Sequence, residues 1–301
     1  MTLSRHGLWL ASRRAGAVAA LVAAVLAVAV LRLGAQEVVY LAGFAAGAVV
    51  LYFARRLGDV RWWSAYVLGF LAFAYVRTLS DDTGVPWQYG YVIDIEELLG
   101  AGTAATVWMQ ERWFTAGESG AFDLLMFAVY ISYFIVPQLA AILVWRAHRG
   151  RFRVYVAATL ATFYIGLLVG FVLPTAPPWL AAQEGYLPQV YRVIVEVTSE
   201  AETNTREIGY SLASANPVGA MPSLHMGITV IVALAAASYG RALATAGALY
   251  AAAMALALVY LGEHYAVDLI AGGVVAGGAW AVASRRLSGE SASRENAPAN
   301  A

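Results

Sequence analysis

Apolar residues gather in stretches long enough to cross a bilayer, where a spanning helix needs about 20 mostly apolar residues. Such stretches cover approximately 15–33, 38–54, 62–79, 121–145, 154–173, 222–240, 242–261 and 264–284. They predict an all-α protein, a polytopic membrane helical bundle with about eight transmembrane helices. The connecting segments alternate in charge. One set carries Arg5, Arg13, Arg14, Arg55, Arg56, Arg61, Arg146, Arg149, Arg151, Arg153, Arg241, Arg285 and Arg286. The other carries the acidic stretches Asp81 to Glu118 and Glu184 to Glu207. Positive charge accumulates in cytoplasmic loops, so the pattern predicts an integral, multi-pass cell-membrane protein with both termini cytoplasmic. Trp62, Trp63 and Trp145 fall near the inner boundary, where an aromatic belt belongs.

Two outer loops are long. The first, about 80–120, holds Val92, Ile93, Ile95, Leu98, Leu99, Val107, Trp108, Trp113 and Phe114, a composition that suits either helices lying on the membrane surface or an ordinary packed loop. The second, about 174–221, opens with Pro174-Thr-Ala-Pro-Pro-Trp179. In the last apolar stretch Ala271, Gly272, Gly273, Ala276, Gly277 and Gly278 form a small-xxx-small pattern that favours close helix contact. These glycines read as packing positions. From Ser288 the chain turns to Ser, Asn, Ala and Glu and is expected to be disordered.

Composition sharpens the membrane reading. Hydrophobic residues make up 61% of the 301 positions and charged residues 13%, against roughly 25% charged in soluble domains. Mean hydropathy is +0.66. The formal net charge is zero, which implies no nucleic-acid partner. All the positive charge is arginine; there is no lysine and no cysteine, so thiol chemistry is excluded. The arginines before the first apolar stretch could belong to a secretory signal, but Arg32 and Leu33 stand where small cleavage-site residues are needed. That stretch is read as an uncleaved span.

Four histidines are present. His6 and His148 lie among inner-side arginines, whereas His225 and His264 both map to outer helix starts on different helices. Ionisable groups near membrane spans are costly and often functional. His264 and Asp268 are spaced i, i+4, which on a helix places them one turn apart on one face. A carboxylate beside an imidazole can hold one ring nitrogen as donor and leave the other as nucleophile or base. The competing reading is a structural pair that closes a helix end. His225 lies in Gly219-Ala-Met-Pro-Ser-Leu-His225, where Pro222 suits the first helical position. Ser223 and the amides of that turn offer an anion site. Here the competing reading is a helix cap with an incidental histidine. Together, two histidines at one membrane level supply a nucleophile and a proton donor, as in-line displacement at phosphorus requires.

Met-Pro-Ser-Leu-His225 and Gly-Glu-His264-Tyr-Ala-Val-Asp268 resemble the second and third signature motifs of the phosphatidic acid phosphatase type 2 superfamily. Pro-Thr-Ala-Pro-Pro-Trp179 and Tyr-Leu-Gly-Glu-His264-Tyr look more like its inositol phosphorylceramide synthase branch. The likeness covers roughly residues 60–284. It implies a helical core with His264 as nucleophile, Asp268 as its orienting partner and His225 as general acid. It divides the chain into N-terminal transmembrane helices (1–60), a catalytic membrane domain (61–287) and a cytoplasmic tail (288–301). The common first motif, Lys-x6-Arg-Pro, is missing. The Ser-Arg that often precedes the third-motif histidine is replaced by Ala257 and Leu258. Other cations must therefore meet the phosphate. Arg77 ends a span in Phe73-Ala-Tyr75-Val-Arg77 and is the first candidate, with Tyr75 and Ser223 beside it; snorkelling to the interface is its plain alternative. Arg192 and Arg206 lie in the second outer loop and rank behind it.

The expected activity is phosphotransfer on a lipid-linked phosphate through a phosphohistidine, inositolphosphotransferase-like, at the outer face. Its partners are the membrane, a lipid substrate, and an alcohol or water acceptor. Hydrolysis of a lipid phosphate or polyprenyl diphosphate is the alternative, because water and an alcohol need the same protein groups. From another class, a transporter or non-catalytic membrane protein would need inverted repeats or broken helices, and neither is evident. No carboxylate–histidine cluster has metal-ligand spacing, so no metal and no cofactor is expected.

Overall fold

The computed structural model describes residues 59–77, 85–100, 102–199 and 219–295, with isolated Val49 and Tyr52. Side chains are described as far as Leu287. The expected spans at 15–33 and 38–54, and Arg206, lie outside the described residues. Among the described residues the structure is all-helical and has no strand.

The helices are α1 (Val60–Arg77), α2 (Gly90–Leu99), α3 (Ala105–Trp113), α4 (Ala121–Ser132), α5 (Val136–Ala147) and α6 (Arg149–Val172). They continue with α7 (Pro178–Gln183), α8 (Val193–Ser199), α9 (Leu224–Ala237), α10 (Arg241–Tyr260) and α11 (Ala266–Glu295). The chain divides into two compact units after Leu71, within α1. In the first unit, Trp63 and Tyr66 are buried in an edge-to-face contact at 5.8 Å. All the candidate chemistry lies in the second, 72–301.

Three helices in the described residues are long and apolar enough to span a bilayer: α6, α10 and α11 as far as Leu287. A fourth span forms if α4 and α5 are taken together. The stretch 121–145, expected as one straight helix, is bent by 46° there. Pro137 lies in the first turn of α5. An interior proline removes one backbone bond and crowds the residue four positions earlier, which is Tyr133. The break tightens to i→i−3 bonds from Tyr133, Phe134 and Ile135. The 222–240 stretch yields only the 14 residues of α9. At the other extreme, α11 continues through Glu295, past the point where composition predicts a disordered tail. Once α11 is nucleated, extending it adds one bond per residue.

The core is α6, α9 and α11, with α10 against α9. Glycine sets the α9–α11 crossing. A Cβ on Gly272 would lie 2.2 Å from the Ser223 carbonyl oxygen, and one on Gly227 would lie 3.2 Å from the Gly272 oxygen. The small residues thus let two backbones touch, as their spacing predicts.

The short helices of the first outer loop are mixed on both faces: Val92, Ile93 and Val107 are buried, and Asp94, Glu97, Glu111 and Arg112 are exposed. In α2, Glu96 is buried while Leu98 and Leu99 are exposed; in α3, Gln110 is buried while Trp108 and Trp113 are exposed. The polar atoms bond to the core. Glu96 accepts from the N–H groups of Ala266 and Val267 (3.2 Å each) at the start of α11. Gln110 donates to the carbonyls of Tyr191 (2.9 Å) and Tyr260 (2.8 Å) and accepts from the Tyr191 N–H (2.8 Å).

Candidate active site

Proline-constrained backbone assembles the site. A residue before proline is pushed to extended conformation, and Pro174, Pro177 and Pro178 keep the intervening segment open. It is paired on both sides. Gln88 N–H donates to Pro174 O (2.8 Å), and Ala176 N–H to Gln88 O (3.1 Å). Ala220 N–H donates to Thr175 O (3.0 Å). The Ala220 carbonyl, fixed by that pairing, lies 3.0 Å from His264 Nδ1. A carbonyl can only accept, so Nδ1 carries the proton. The lone pair of neutral His264 is therefore on Nε2.

His264 is not on the helix, as the i, i+4 spacing suggested, but in the turn before it. Gly262 adopts φ +80°, a conformation that glycine tolerates best. Asp268 then occupies the third position of α11 and accepts from the Tyr265 N–H (2.9 Å). Asp268 Oδ2 is 3.5 Å from His264 Nδ1, a longer contact than that to Ala220. The carboxylate is fully buried, and Oδ1 has no hydrogen-bond partner among the described residues. Its charge is held at a helix N-terminus.

His225 is the second residue of α9. Its Nδ1 is 3.4 Å from His264 Nε2. Tyr130, Tyr133 and Phe134 surround its ring, with centroids at 5.0, 4.3 and 6.3 Å. These aromatics come from the bent α4–α5 junction. The sequence reading did not single them out, although Pro137 inside an apolar run signals the bend.

One cavity joins these groups. Its lining includes His225, His264, Arg77, Arg192, Glu263, Tyr130 and Tyr133, with Phe73, Gly166, Leu167 and Gly170 completing an apolar side. Arg77, at the C-terminal end of α1, thus shares a cavity with both histidines. Arg192, ranked lower from sequence, lines it too. Arg192 Nε donates to Glu263 Oε1 (2.7 Å) and Nη2 to Oε2 (3.2 Å), a two-pronged ion pair. The guanidinium lies over the Trp179 ring at 4.4 Å.

Two expected phosphate ligands are placed elsewhere. Tyr75 is 69% exposed and is not among the cavity-lining residues. Residues two apart on a helix point to different faces, so Arg77 in the cavity directs Tyr75 away from it. Ser223 is fully buried and caps α9; its Oγ accepts from Met226 N–H (3.2 Å), and its N–H donates to the Asp268 carbonyl (3.0 Å). It does not line the cavity. Because Ser223 is the cap, Pro222 precedes the helix and is not its first residue.

Comparison with curated proteins and with solved structures returns no match. A family model for the PAP2 superfamily matches residues 91–282, which include both histidines, Asp268, Arg192 and Glu263. That match covers well over half of the chain and supports phosphatase or phosphotransferase chemistry on lipid phosphates. The chain belongs to the PAP2 superfamily.

Proposed function

We propose that this chain is a membrane phosphotransferase that acts on lipid-linked phosphates through a phosphohistidine on His264. The observation that carries the reading is the tautomer imposed by Ala220. It aims a nucleophilic Nε2 at a cavity that also holds His225 and two arginines. In the first step Nε2 attacks phosphorus, the P–O bond to the leaving group breaks, and His225 gives that oxygen a proton. In the second, an alcohol or water gives its proton to His225 as its oxygen attacks phosphorus, and the P–N bond breaks. Asp268, already at 3.5 Å, stabilises the charge that His264 acquires when Nε2 bonds to phosphorus.

The two imidazoles are too close in this arrangement for phosphorus to lie between them. Near attack needs about 3–3.5 Å on the nucleophile side, and proton transfer about 3 Å on the other. With the P–O bond to the leaving oxygen between those two distances, Nε2 and the donating nitrogen must separate from 3.4 Å to more than about 6 Å when substrate enters. The His225 ring has the aromatic wall of Tyr130, Tyr133 and Phe134 to move along.

The synthase-like motifs favour an alcohol acceptor of the inositolphosphotransferase kind over water. The absence of the lysine-bearing first motif agrees with a differently built phosphate clamp, here Arg77, with Arg192 beside it and held by Glu263. The arginine pattern of the loops supports an outer-face site.

The test is rapid quenching of purified protein with a radiolabelled lipid phosphate. An acid-labile, alkali-stable phosphoprotein is expected, absent in His264→Ala. Addition of polyol acceptors should yield a new phosphodiester. Label on Ser223, or full turnover by His264→Ala, refutes the nucleophile. Phosphate release with no acceptor ever incorporated makes the protein a phosphatase.

A further inference from the structure

The Arg192–Glu263 pair is an unusual wall for a phosphate site. A carboxylate one residue before the nucleophile brings negative charge to a cavity meant for an anion. It is not a loose surface pair, since the two side chains are only 13% and 11% exposed. Both backbones are anchored. Val193 N–H donates to Leu261 O (3.3 Å), Trp179 N–H to Gly262 O (3.2 Å), and Gln110 bridges Tyr191 to Tyr260. The Trp179 ring limits where the guanidinium can go. Two of the guanidinium donors meet carboxylate oxygens in the fork geometry that a phosphate would otherwise use. Among the described residues lining the cavity there are two arginines and one carboxylate.

Resting on the phosphotransfer reading above, we propose that Glu263 sets the charge selectivity of this site. By occupying Arg192, it makes the cavity favour a phosphodiester monoanion over a phosphomonoester dianion. A phosphomonoester carries about −1.5 to −2 at neutral pH, a diester a single charge. The extra charge of the monoester meets the Glu263 carboxylate in a partly desolvated site, where like charges repel strongly. Selectivity of this kind works by penalising the wrong ligand. Glu263 is a specificity-determining residue and takes no part in the bond-making steps.

The experiment compares two lipids with identical acyl chains, phosphatidylglycerol and phosphatidic acid, in nanodiscs holding the full chain. Attack by His264 on either breaks the bond from phosphorus to diacylglycerol oxygen, and that oxygen takes the proton from His225. The product measured is therefore the same, diacylglycerol. Wild type should show a kcat/KM for the diester at least about tenfold above that for the monoester. Glu263→Gln should shift this ratio about tenfold or more toward the monoester, and Glu263→Asp should restore it. A wild type that prefers phosphatidic acid overturns the proposal. So does a Glu263→Gln protein that changes both rates alike. Should Glu263→Gln fail to fold, inhibition of wild type by methylphosphonate and by its monomethyl ester decides; the ester should inhibit more tightly, and the reverse order refutes the charge filter. Diacylglycerol release from neither lipid removes the phosphotransfer reading and this inference with it, whereas activity without the ratio shift counts against Glu263 alone.

Discussion

Gly272→Ala tests whether the α9–α11 crossing aligns the site. The new Cβ would lie 2.2 Å from the Ser223 carbonyl oxygen, and real Cβ atoms stay beyond 3.0 Å, so the backbones must part by about 0.8 Å. Nothing flexible can give way there, because the obstacle is the backbone of the α9 cap. Overpacking of this kind costs about 1–3 kcal/mol, and replacing a helical glycine by alanine returns about 1 kcal/mol. The net loss of stability is therefore about 0–2 kcal/mol. The same shift separates His225, two residues after Ser223, from Asp268, whose carbonyl accepts the Ser223 N–H. A misplacement of about 1 Å at a reacting centre can cost about 10²-fold in rate. Phosphohistidine formation should thus fall about a hundredfold while the melting temperature drops by only a few degrees. Gly278→Ala, where an added Cβ meets nothing within 4 Å, is the control. Wild-type rates in Gly272→Ala, or equal losses in the two variants, would refute the alignment argument.

Three further outcomes are expected. Arg77→Lys should keep the fold but lower turnover about tenfold or more, because an ammonium lacks the planar fork that matches two phosphate oxygens; a wild-type rate would make Arg77 an interfacial anchor. Glu96→Gln removes the charge from two hydrogen bonds to the start of α11 and should destabilise the protein by about 1–3 kcal/mol in thermal unfolding; an unchanged midpoint would show that those N–H groups are satisfied by other means. Because the chain has no cysteine, single cysteines report topology cleanly: Gln183→Cys should react with an impermeant thiol reagent on intact cells and Ala147→Cys should not, and the opposite pattern would place the cavity on the cytoplasmic side.

The parts of the site legible in the sequence are those fixed by short-range geometry. His225 follows its cap by two residues, and His264 precedes Asp268 by four, so local pattern alone brought each into view. Tyr75 failed because proximity in sequence to Arg77 is the wrong criterion on a helix, where neighbours two apart diverge. Ser223 lies off the cavity lining because the hydroxyl that attracts attention at a helix start is the one the cap occupies. The Arg192–Glu263 pair spans 71 positions. Its partners meet because Gln110, from the first outer loop, holds Tyr191 against the end of α10 and Val193 N–H bonds to the Leu261 carbonyl. No local pattern encodes that. The bend between α4 and α5 was within reach, since Pro137 interrupts an apolar run. Its consequence, an aromatic wall around His225, depends on how α9 packs beside it.

The convergence of α9 and α11 also suggests where the phosphate charge is met. The start of α9 lines the cavity, the start of α11 follows His264 directly, and each has N–H groups without intrahelical partners. The start of α11 already serves the protein's own carboxylates. Ala266 and Val267 donate to Glu96, and Asp268 lies in the first turn. Its capacity for a further anion is taken. The start of α9 has only a neutral cap, Ser223, which satisfies Met226 N–H. Leu224 and His225, the first two residues of α9, both line the cavity. Under the proposed phosphotransfer, an incoming phosphoryl oxygen is better matched to α9, with the arginines around it, than to the helix that follows His264. This asymmetry keeps His264 and Asp268 as one unit and leaves the start of α9 as the helix end open to an anion. Under that proposal a chain without lysine meets the phosphate charge with amides and guanidinium groups alone.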